Sequence, residues 1–212
     1  HSNYPQVLDD GRVIYTRWDY NDRGQIYPQP LYQMNADGTN QTEFYGNNSW
    51  FPTTVLHARG ISGTQKVLAV LSGHHSDQRG KLAIIDPAKG RQETSGVTLV
   101  APVRALQEGV IKIDQYGQGG EQWQYPYPLD EKNYLVTFRP QGAKLFGIYF
   151  MNIEGQRVLL ASDPKISCNQ PIPLAPRRRP PSPEYHTDWR KKTGVFTIQD
   201  IYHGPGLKGV KR

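Results

Sequence analysis

The chain has 212 residues, 36% hydrophobic and 21% charged, a composition that builds a packed core and excludes a wholly disordered chain. Its net charge of +6 is local: Arg177–Lys192 holds six basic residues against two acidic ones, and the nearly neutral remainder argues against a nucleic-acid partner. The single cysteine, Cys168, excludes an internal disulfide and any zinc ribbon or finger; no CxxCH is present for covalent haem, and no apolar run nears the ~20 residues that span a bilayer.

Abundant glycine, proline and tyrosine favour short strands joined by turns. "YPQVLDDGRVIYTRW" (Tyr4–Trp18) opens on an aromatic-Pro pair, runs to a leucine, turns on polar residues and enters a β-branched strand. "PLYQMNADGT", with its turn at Asp37-Gly38, and "QTEFYG" continue that unit. A second unit starts at Phe51-Pro52 with "FPTTVLHARGISGTQKVLAVLS" and continues through "KLAIIDPAKG" and "GVTLVAP". The third comprises "YPYPLDEKNYLVTFR" (Tyr125–Arg139), "GIYFMNIEGQ" and "RVLLAS". "NQPIPLAP" (Asn169–Pro176) and "GVFTIQDIY" (Gly194–Tyr202) resemble the first two strands of a fourth unit, separated by an Arg/Pro-rich insertion that reads as extended and solvated. Helical periodicity is poor throughout; Val103–Lys112 alone leaves a short helical turn open.

Four strands per unit, recurring every ~50–65 residues, predict an all-β chain: a β-propeller of four-stranded antiparallel blades, about three and a half of them present. Blade one spans about 4–50, blade two 51–101, a loop insertion 102–124, blade three 125–162, and an incomplete blade four 169–212 with the insertion at 176–193. Since closed rings have about 4–8 blades, the expectation is one partial domain, a fragment of a larger propeller. A curved open sheet array or a smaller closure is the alternative.

"YQMNADGT" resembles the strand-turn of TolB-like propeller repeats. The blocks "VIYTRWDYND", "LSGHHSDQRGKLAIIDPAKG", "SDPKISCNQPIPLAPRRRPP" and "VFTIQDIYHGPGLKGVKR", in that order, resemble the hydrazine synthase alpha-subunit family over nearly the whole chain, Thr94–Trp123 excepted. That family belongs to a multihaem complex joining nitric oxide to an ammonium-level nitrogen outside the cytoplasm, and its alpha subunit is similar to a propeller flanked by haem-bearing segments. The resemblance implies the propeller fold and a periplasmic or extracellular location. The missing CxxCH leaves the activity itself behind.

In such a blade the loops between second and third strands, and the connections between blades, share one rim. Arg17, Asp19, Asn47, Asn48, Trp50, His74, His75, Arg139, Cys168 and His203 all fall there. The opposite face receives short turns such as "LDDG", "LHARGISG" and "LDEK". Binding concentrates in long loops on a rigid scaffold, so Arg17, Asp19, Asn47, Trp50, His74, His75, Arg139 and His203 form the expected ligand-binding rim. Each has a plainer alternative. Arg17 and Asp19 make an interblade salt bridge with Trp18 as a packing wedge. His74 and His75, adjacent in extended chain, point to opposite sides, one bonding a neighbouring loop and one solvated. A metal ion held by His74 or His75 with Cys168 needs three or four converging ligands; otherwise Cys168 reads as a small buried hydrophobe.

No catalytic residue is assigned, since Asp9-Asp10 and Asp130-Glu131 fall on turns and no nucleophile motif is present. The expected function is a non-catalytic extracytoplasmic module for scaffolding or binding, with no cofactor of its own. Its partners are other domains or subunits of a larger protein and a small ligand at the rim. The alternative is part of a metal- or haem-dependent redox enzyme whose site lies on the rim. A third reading is polyanion binding through Arg177–Lys192.

Overall fold

A computed structural model describes residues 1–19, 28–47, 49–107, 114–182, 185 and 187–196. Three antiparallel sheets, each built in strict chain order, account for nearly all its regular structure. The first holds β1 (Ser2–Val7), β2 (Val13–Arg17), β3 (Leu31–Met34) and β4 (Thr42–Tyr45). The second holds β5 (Thr54–Gly60), β6 (Val67–Ser72), β7 (Lys81–Ile85), β8 (Val97–Leu99) and β9 (Arg104–Ala105). The third holds β10 (Gln122–Pro128), β11 (Asn133–Arg139), β12 (Gly147–Asn152) and β13 (Arg157–Ala161). The only helical segment among the described residues is a 3-10 turn at Pro87–Lys89, started by Asp86 accepting from the Ala88 N–H.

Hairpin chemistry follows the sequence. In the β3–β4 turn the Asp37 carboxylate accepts from the Thr39 N–H at 3.0 Å, while Gly38 adopts the positive φ (82°) that a side chain resists. Asn152 and Gly155 repeat the arrangement between β12 and β13, the Asn152 side chain accepting from the Gln156 N–H at 3.0 Å.

The second sheet is covered on both sides. Along β6, Val67, Ala69 and Leu71 pack with Ile14, Leu31 and Tyr45 of the first sheet, whereas Leu68 and Val70 pack with Trp123, Tyr134 and Phe138 of the third. This explains the unbroken apolar run "VLAVL": a strand between two sheets has no solvated face. The third sheet differs. Across β11–β13, Leu135 pairs with Phe150 and Phe150 with Val158, on the side away from the second sheet. Val158 there is 60% exposed.

The first strands lie side by side, β1 against β5 and β5 against β10. Each carries one extra residue relative to its partner, at Tyr4-Pro5, His57-Ala58 and Tyr125-Pro126. Tyr4, His57 and Tyr125 share a left-handed backbone (φ 55°, 54° and 41°), and Gln170 repeats it at 54°. The true register therefore matches Tyr4 with His57. The expected match to Phe51-Pro52 is wrong, because that pair precedes β5.

Two further expectations are corrected. The second sheet has five strands, since Arg104–Ala105 pairs with β8 inside the stretch read as a loop. That pairing takes the first part of Val103–Lys112 out of any helical turn; 108–113 lie outside the described residues. β10 likewise begins at Gln122, within the same expected loop. From 162 to 196 no strand is assigned among the described residues, and the Arg/Pro-rich stretch 176–182 is largely exposed.

Candidate functional site

The loop Ser72–Gly80, "SGHHSDQRG", leaves β6 and is clasped at both ends. Gly80 exchanges two backbone hydrogen bonds with Trp123 of the third sheet, 3.1 and 3.0 Å long, and the Gly73 N–H donates to the Tyr116 carbonyl at 3.1 Å. Gly80 has to be glycine: a Cβ there would sit 1.9 Å from the Leu71 carbonyl oxygen. Inside the loop, Ser72 Oγ and Gln118 Nε2 both donate to the Arg79 carbonyl, at 2.8 and 2.7 Å.

This compact turn overturns the extended-chain expectation for the two histidines. A bend at 74–76 brings their rings within 4.3 Å, inclined at 67°. His74 is buried, edge-on to Trp18 at 5.0 Å, with Nδ1 3.3 Å from the Gln29 amide nitrogen. His75 is exposed, and both its backbone N–H (2.9 Å) and its Nδ1 (3.1 Å) meet the Asp114 carboxylate. A cleft of about 470 Å³ opens between His1, Trp18, Gln29, His74, His75 and Gln78.

The remaining rim residues each have partners of their own. Arg17 and Asp19 pair with each other at 2.7 Å, so the ion pair is local to one sheet and not a bridge between two; Arg17 also lies 4.7 Å over the Tyr32 ring. Trp18 does wedge against the second sheet, through His74. Asn47 accepts from the Tyr32 hydroxyl, and its N–H donates to Glu43 at 2.9 Å, which makes it a turn anchor. The backbone N–H groups of Trp50 and Phe51 donate to the two oxygens of the Glu93 carboxylate, at 3.0 and 3.1 Å. Arg139 donates to Gln122 and lies 5.1 Å over Phe146. Cys168 is half-buried, not fully buried, and its N–H bonds the Phe146 carbonyl at 2.9 Å. Asn48 and His203 lie outside the described residues. Among the described residues no three His, Cys, Asp or Glu side chains converge on a metal position.

Sequence reading missed a second constellation, on the first strands. The His57 ring stacks on Tyr125 at 3.9 Å and meets Tyr4 edge-on at 4.4 Å. Its Nδ1 accepts the Tyr125 N–H at 3.3 Å, and burial pushes its pKa down to about 3. The signal was available: counting back four residues from the leucine or isoleucine before each turn (Leu8, Ile61, Leu129, Leu174) gives Tyr4, His57, Tyr125 and Gln170.

No family model and no curated protein matches this chain. Among solved structures it is similar in fold to Kuenenia stuttgartiensis hydrazine synthase, with a TM-score of 0.56 at 20% sequence identity over 77% of this chain. The match spans 20% of that chain's length. At this identity the likeness is one of fold.

Proposed function

We propose that this chain is a non-catalytic β-propeller module of hydrazine-synthase-alpha-like type, with TolB-like strand-turn repeats, working outside the cytoplasm as a scaffold and binding element. The observation that carries the reading is the threefold repetition: three antiparallel sheets in chain order whose first strands lie together with the same bulge at Tyr4, His57 and Tyr125. Supporting it are the fold likeness to hydrazine synthase and the apolar outer side of the third sheet at Leu135, Phe150 and Val158. That side suits a further sheet of a larger array. No helix among the described residues is long and apolar enough to cross a membrane.

In this reading the long-loop cleft is the ligand seat: Trp18 and His74 offer an aromatic corner, Gln29 and Gln78 polar edges. A fragment screen by ligand-observed NMR tests it. Binding that disappears in His74→Ala and Trp18→Ala but survives in Trp50→Ala supports the seat. Stoichiometric metal in the purified protein, lost in His75→Ala or Cys168→Ala, would instead favour the redox alternative.

A further inference from the structure

At the short-turn ends of the first strands lies a cleft of about 940 Å³, lined by Arg59, Arg177, Arg178 and Arg179 against Tyr127 and Leu129. Arg59, on β5, is half-buried and holds its guanidinium 4.7 Å over the Tyr127 ring. Burial lowers its pKa and the like charge of Arg177 lowers it further, so these two cations feel one another across the cleft. Arg177, Arg178 and Arg179 are exposed. Among the described residues none of the four has an ion pair or a hydrogen bond.

The neighbouring turns show that this is not the local rule. Arg12 pairs with Asp10 at 2.6 Å, and Lys66 with Glu131 at 2.7 Å. The one carboxylate on the cleft, Asp9, is already engaged by Ser62 Oγ at 2.6 Å and by the Gly63 N–H at 3.0 Å. Asp130, in the turn after β10, accepts from the Lys132 and Asn133 N–H groups at 2.7 and 2.8 Å. Four arginines against one aspartate leave the cleft with three uncompensated positive charges. The rest of the basic run does not line it, and Arg190 there pairs with Asp188 at 3.0 Å.

We infer that this cleft binds a compact multivalent oxyanion, a short phosphate chain or a small polycarboxylate, held between the half-buried Arg59 and the exposed Arg177–Arg179. A monoanion offsets one of the three surplus charges, whereas several oxyanion groups in one molecule offset them together. The guanidinium fork suits phosphoryl and carboxylate oxygens alike, and the donors need not meet at one point, because such a ligand spreads its charge. The cleft has the volume of a small-molecule site, which favours a compact ligand over a polymer. It is separate from the long-loop cleft and does not depend on its occupancy.

The test is calorimetric titration of the full chain with sodium tripolyphosphate, sodium citrate and inorganic phosphate at one ionic strength. The expected result is one saturable site for tripolyphosphate, citrate or both, at least about tenfold tighter than for phosphate and weaker as salt is raised. Tripolyphosphate alone assigns the site to phosphate chains and citrate alone to polycarboxylates; either supports the inference. Arg59→Gln is expected to weaken binding about tenfold, and Arg177→Gln with Arg179→Gln, which lie outside every sheet, by as much. Arg190→Gln with Lys191→Gln leaves it unchanged. No saturable site, no preference for either multivalent anion over phosphate, an equal loss in the Arg190 pair, unchanged affinity in the Arg177 pair, or tighter binding of a single-stranded oligonucleotide would each overturn the inference.

Discussion

Two cavities share strand β5, and they differ in how their polar groups are satisfied. At the long-loop end, beside Leu56, His74 meets Gln29, His75 meets Asp114, and Arg79 pairs with Asp77 at 2.7 Å, which leaves Thr54 Oγ1 and Arg79 Nε buried without a hydrogen bond. At the other end, among the shortest turns, His57 Nε2 and the Arg59 guanidinium have no such answer. Loop length draws attention to the first end. A buried ring nitrogen and a cation without a carboxylate draw it to the second, and the two criteria need not agree. A long loop has to satisfy its own backbone and side chains before it can bind anything.

The contrast is broken most severely at the clasp. Gly80→Ala places a methyl group 1.9 Å from the Leu71 carbonyl oxygen, so the loop has to leave β6 and Trp123. The expected loss is about 3–5 kcal/mol in a denaturant melt, among the largest single-residue effects. A loss under ~1 kcal/mol would mean that the loop is not pinned as described.

Next in size is the pH dependence set by His57. Its folded pKa is about 3 against 6.5 for the ordinary side chain, so below 6.5 the unfolded chain takes up a proton that the folded one refuses. The contribution is complete above 6.5 and declines by about 1.4 kcal/mol per pH unit as pH falls toward 3. Between about pH 7 and 5, wild type is expected to lose ~2 kcal/mol more than His57→Asn, a variant that tolerates the left-handed backbone and cannot titrate. Parallel stability curves for the two proteins would contradict the burial of that ring.

At the long-loop end effects are smaller. His74→Ala removes one edge-on contact with Trp18 and one hydrogen bond, and about 1–2 kcal/mol is expected by thermal unfolding. Smallest is Asp19→Asn, which breaks a partly exposed local pair with Arg17 and is expected to change stability by under ~1 kcal/mol. A larger change there would restore the idea of a bridge between sheets.

The strands and turns were legible because their causes are local. Asp37-Gly38 writes its hairpin directly, and "VLAVL" announces a strand buried on both faces. β9 was not, being two exposed residues paired to β8. The bend that folds His74 onto His75 depends on Gly73 and Gly80 meeting backbone from 114–123, a contact between distant segments that no local pattern encodes. His57 was hidden by an alignment on aromatic-Pro pairs. In the second sheet that pair lies before the strand, and an imidazole occupies the position that tyrosine fills in the other two.

The unpaired His57 donor is the centre of this account, and ¹⁵N-histidine NMR across a pH titration reads it directly. The account predicts a neutral His57 ring with its proton on Nε2, unchanged down to about pH 4. A His57 midpoint near 6.5, or a proton on Nδ1, would contradict it.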